Sequence, residues 1–85
     1  MNKMFKAVIS IPTMGRFSKC IDINNVPKDM PKESEDILKL VVISEMIKMF
    51  NNNLFISVYN IHDNCKSIIN TKKIDKLNIL NIEAI

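Results

Sequence analysis

The chain has little from which a conventional active site is built. Its 85 residues hold one glycine, one histidine and no tryptophan. Loops that cradle phosphates need glycines at fixed spacing, so Gly15 alone excludes a P-loop or a dinucleotide fingerprint. Nucleophilic catalysis needs a Ser, Cys or Thr beside an oriented base. The only sequence-local pairing is His62 with Cys65, in a turn-like stretch without a glycine-rich oxyanion loop, and a solvated turn histidine is the expected role. The two cysteines, Cys20 and Cys65, have no second cysteine near either, which excludes a C-x-x-C redox pair. A structural zinc needs about four ligands, more than His62 and the cysteines supply. Both thiols are expected to be free, each a small half-buried hydrophobe. No metal or cofactor is expected, and the chain reads as a non-enzyme.

Long apolar runs are also missing. The longest, Leu40 to Ile43, falls far short of the roughly 20 residues of a membrane span, and the first six residues lead into an alternating pattern rather than a signal-peptide core. A cytoplasmic protein without a membrane partner is expected, in the host cytoplasm if phage-encoded. Length and a 47% apolar content point to one domain over residues 1–85. Such a chain buries only about 60–65% of the surface it exposes when unfolded.

Present in quantity are Ile, Asn and Lys, more than two-fifths of the chain, against a single Arg. An AT-rich genome writes this bias by codon drift, so a phage or mobile-element accessory protein is one source that fits it. The net charge of +3 is uneven. Residues 1–28 hold five basic groups and one acid, whereas residues 29–50 hold three bases and five acids.

Strand-like alternation opens the chain, with Phe5, Ala7, Ile9 and Ile11 on one face up to Pro12. Pro12 to Arg16 reads as a turn, and a second alternation puts Phe17, Lys19, Ile21 and Ile23 on one face. Pairing Ile11 with Phe17 places Ala7 opposite Ile21, Phe5 opposite Ile23 and Lys6 across from Asp22. Pro27 and Pro31 break the pattern. A helix is expected from an N-cap near Asp29, with Pro31 in its first turn and Glu33, Glu35 and Asp36 at the positive end of its dipole. It should run to about Phe50 and end at Asn51 to Asn53, because Asn tolerates the left-handed conformation that closes helices. Leu54 to Ile61 is apolar on both faces and reads as a central strand. Asn60 to Cys65 follows as a turn, Lys66 to Asn70 as a short strand, Thr71 to Lys73 as a second turn, and the tail 74–85 as an edge strand. The expected class is α+β, a single helix packed on one face of a small, mainly antiparallel sheet, in the order β-β-α-β-β-β.

Two functions follow from this reading. Between Ile37 and Phe50 the apolar residues cover an arc of roughly 200°, wider than the stripe of about 100° that a surface helix buries. The surplus is expected to meet a protein partner, with Lys39, Ile43, Ile47 and Phe50 as its residues, and homodimerisation is the simplest use of it. The leading expectation is therefore a small protein-binding modulator, for instance an anti-defence inhibitor of a host nuclease or immune complex. The alternative is a nucleic-acid-binding module, with Lys6, Arg16 and Lys19 on the hairpin following phosphates, Phe17 stacking a base, and Lys72 and Lys73 adding a second basic turn. A single Arg weakens the case for site-specific base reading.

Overall fold

A computed structural model describes residues 2–24 and 33–85. Its elements are β1 (Lys3–Ile11), β2 (Gly15–Ile23), α1 (Glu33–Asn52), β3 (Phe55–Asn60), β4 (Cys65–Asn70), a 3-10 turn (Thr71–Lys73) and β5 (Asn78–Ala84). The strands form one antiparallel sheet in the order β4-β3-β2-β1-β5, with the helix on one face. The α+β class and the order of elements are as the patterning indicates. The expected N-cap at Asp29 and Pro31 lie outside the described residues.

The period-two pattern of β1 decides which face turns inward. Phe5, Ala7, Ile9 and Ile11 are all completely buried, and Phe17, Ile21 and Ile23 continue that face on β2. Val42 and Met46 of α1 press onto it, and Ile56, Val58, Ile69 and Ile82 close it from the other strands. No polar or charged residue is buried among the described residues, so an apolar core alone drives collapse.

The hairpin register differs from the expected one by two residues. Ile9, not Ile11, faces Phe17; Ile21 pairs with Phe5, and Ile23 with Lys3. The cause is a shorter turn. Pro12, Thr13 and Met14 are its only loop residues, closed by the Met14 N–H donating to the Ile11 carbonyl at 2.8 Å, and Gly15 takes φ +124°. Proline at the second turn position and a positive-φ glycine just after are what a three-residue hairpin loop requires. A shift of two leaves every side chain on its expected face, but it replaces the Lys6–Asp22 pair with Lys6 opposite Cys20 and Met4 opposite Asp22.

The helix ends differently too. It continues to Asn52, and Asn53 caps it by donation: its backbone N–H and its side-chain amide both reach the Met49 carbonyl, at 3.2 and 2.9 Å. Among described non-glycine residues the left-handed conformation occurs at Asn64, φ +52°, in the β3–β4 turn. Strand β3 lies inside the sheet as expected, but only one of its faces is covered: Ile56 and Val58 are buried, while Phe55 and Tyr59 are exposed on the open side. The cysteines depart from the expected half-burial, since both Cys20 and Cys65 are exposed.

Candidate protein-docking surface

Helix α1 carries apolar side chains on more than one side, and the sheet covers one of them. Val42 and Met46 form the buried line, flanked by Leu38, Ile43, Met49 and Phe50, which pack against the core. On the opposite side Ile37, Leu40, Val41 and Ile47 stand in solvent, 63%, 65%, 38% and 52% exposed. Ile37, Leu40, Val41 and exposed Ser44 hold the i, i+3, i+4, i+7 positions of one helix face, and Ile47 follows Leu40 by seven residues, with exposed Glu45 and Lys48 on the same side. A soluble helix ordinarily sets charged and polar groups there.

A groove adjoins this face. The chain leaving the 3-10 turn passes beside the C-terminal half of α1, and between them lies a groove of about 330 Å³ whose lining includes Met46, Ile47, Phe50, Ile74 and Leu77. Asn51, Thr71 and Asp75 supply its polar atoms. Thr71 fixes the crossing chain, its hydroxyl donating to the Asn53 carbonyl at 2.6 Å and its N–H to the Leu54 carbonyl at 2.9 Å.

The four expected contact residues separate on this geometry. Ile47 is on the outward face and lines the groove; Phe50 packs on the core and lines the groove from inside; Ile43 packs on the core; Lys39 is half-buried on the flank. Ile37, Leu40 and Val41 are the larger part of the exposed stripe. Their signal was the repeat itself, readable once the inward line through Val42 and Met46 is known.

The six expected nucleic-acid contacts do not form one surface. Phe17 is a core residue at 3% exposure, so its ring is closed to a base, a direct correction of the stacking role. Its alternation with exposed Arg16 put it on the inward face. Lys6 lies on the open sheet face between Cys20 and Glu83. Lys19 is held inward: its ammonium donates to the Ser57 carbonyl at 2.8 Å, where β2 and β3 diverge after two paired positions. Arg16 adjoins the end of β3, whereas Lys72 and Lys73 follow Asn70, which pairs with the start of β3. The length of that strand, roughly 17 Å, separates the two basic groups.

The chemistry elsewhere is sparse. His62 and Cys65 are both exposed, in and just after the turn that follows β3. Among the described residues no group of three or more His, Cys, Asp or Glu is placed to hold a metal ion, and no helix is long and apolar enough to cross a membrane. No protein-family model, no curated protein and no solved structure matches this chain.

Proposed function

We propose that this chain is a non-enzymatic protein-binding modulator that works by laying the outward face of α1 against another protein. The observation that carries the reading is the exposed stripe Ile37, Leu40, Val41 and Ile47, continuous through Ile47 with the groove beside it. Exposed apolar side chains grouped on one helix side and rimmed by Ser44, Glu45 and Lys48 are the pattern of a protein-interaction site. The AT-type composition adds a phage or mobile-element setting, with a host nuclease or immune complex as the class of larger target.

The test is affinity capture from the native host with wild type and with Leu40→Asp. Specific partners should be held by wild type, lost with Leu40→Asp, and held equally at about 50 and 200 mM salt, because apolar burial does not depend on counterion release. A partner that Leu40→Asp retains, or one whose affinity falls steeply over that salt range, contradicts the proposal and returns weight to phosphate contacts.

A further inference from the structure

The open face of the sheet, turned away from α1, carries chemistry of its own. The chain has four phenylalanines and one tyrosine. Phe5 and Phe17 are sealed in the core and Phe50 packs against it, whereas Phe55 and Tyr59 stand on the open face, 59% and 42% exposed. Both belong to β3, four residues apart, so about 13 Å separates two rings on one side of one strand. Tyr59 is also held in place. Its hydroxyl donates to Asn64 Oδ1 at 3.1 Å, which ties the polar end of the ring to the β3–β4 turn.

Cations flank that ring. Lys66 lies directly across from Tyr59 on β4 and Ser18 across from it on β2, which puts Arg16, two residues along the same face, on the diagonal. Beside the ring, where β2 and β3 diverge, is a depression of about 190 Å³ whose lining includes Ser18, Lys19, Ser57 and Lys66. The Lys19 ammonium donates one hydrogen to the Ser57 carbonyl at 2.8 Å and has two more to give. The lining holds two ammonium groups, two hydroxyls and no carboxylate. Asp22 is four residues beyond Ser18, Glu83 faces Lys6 two strands away, and Asp63 is in the β3–β4 turn outside the depression. We propose that this face binds single-stranded nucleic acid, with a base stacked on Tyr59, a phosphate in the depression between Lys19 and Lys66, and a further base on Phe55. Charge and shape both favour that partner. Exposed rings offer any unpaired base a stacking surface whatever its sequence, and cations beside them follow the backbone. Sequence-tolerant stacking also needs no arginine at base edges, in keeping with the single Arg of the chain. In a duplex the bases already stack on one another, so the rings would gain nothing.

Fluorescence anisotropy of the full chain with a labelled oligothymidylate of about 12 nucleotides tests this. At about 50 mM salt wild type should bind it with a Kd on the order of 10⁻⁶ to 10⁻⁴ M, and should bind an A·T duplex of the same length about ten-fold more weakly. Tyr59→Ala should weaken binding about five-fold or more, whereas Tyr59→Phe should bind like wild type, because the ring and not the hydroxyl is the platform. Lys66→Gln should reduce the slope of log affinity against log salt by about 0.7. All three variants should keep the wild-type circular dichroism spectrum. Leu40→Asp should bind the oligonucleotide unchanged, so this proposal and the docking reading of α1 stand or fall separately. Absence of binding up to about 200 µM protein, a Tyr59→Ala or Phe55→Ala variant that binds as tightly as wild type, a duplex bound as well as the single strand, or an unaltered salt slope in Lys66→Gln overturns the proposal. So does a protein captured from the host that Tyr59→Ala releases and Leu40→Asp retains, which would make the open sheet a protein-docking face.

Discussion

Neighbouring residues on α1 have opposite roles, and substitution separates them. Met46 is 1% exposed and touches the core, whereas Ile47 is half in solvent. Met46→Ala should lower unfolding free energy by about 2–5 kcal/mol, and Leu40→Asp should leave monomer stability within about 0.5 kcal/mol. Urea denaturation of the dilute protein checks both; equal losses would mean that the outward stripe is structural. Gly15 is sensitive for a different reason. A Cβ there meets nothing within 4 Å, so the cost of Gly15→Ala is backbone strain at φ +124° alone, about 1–3 kcal/mol. Thermal melts that show no loss would contradict the loop geometry. Phe17 and Lys19 mark what residue-level reading can miss. Alternation puts both on the inward face, and for Phe17 that burial excludes the stacking role. Lys19 has a main-chain partner on β3 that no local pattern reveals.

Elements were legible where one period dominates, and misread where two solutions share it. The alternation of β1 and β2 identifies the core face, but sliding one strand by two residues preserves that face, so the pattern cannot choose between Ile11 and Ile9 as the partner of Phe17. Loop length chooses, and Pro12 to Met14 closes sooner than the polar stretch implies. On α1 the apolar content is so nearly continuous that its inward line had no distinct signal. Ile43 and Phe50 thus stand among the expected contacts, while Ile37, Leu40 and Val41 do not. The asparagine run marks the helix end within two residues, but it closes by an amide donation rather than by a left-handed residue. Since Asn53 caps by donating its amide to Met49, Asn53→Ala should cost about 0.5–1.5 kcal/mol and Asn53→Gly should not rescue it, as it would if a left-handed residue were required. Comparison of their melting temperatures decides between the two.

At the scale of the whole molecule the protein is extended for its size. Its Cα radius of gyration is 13.4 Å, against about 12 Å for a compact 85-residue domain, and its extents are 40 × 25 × 18 Å. One helix over a five-stranded sheet leaves two broad faces uncovered. The open sheet face mixes Phe55, Tyr59 and Ile68 with serines, Lys66 and Asn70, whereas the helix face sets Ile37, Leu40, Val41 and Ile47 around Ser44, Glu45 and Lys48. The most direct measurement is hydroxyl-radical footprinting with mass spectrometry, comparing the chain alone with the chain bound to its captured partner. Ile37, Leu40, Val41 and Ile47 should become protected while Phe55 and Ile68 stay reactive. Protection of Phe55 and Ile68 with the helix stripe still reactive would contradict the assignment of α1 as the docking surface.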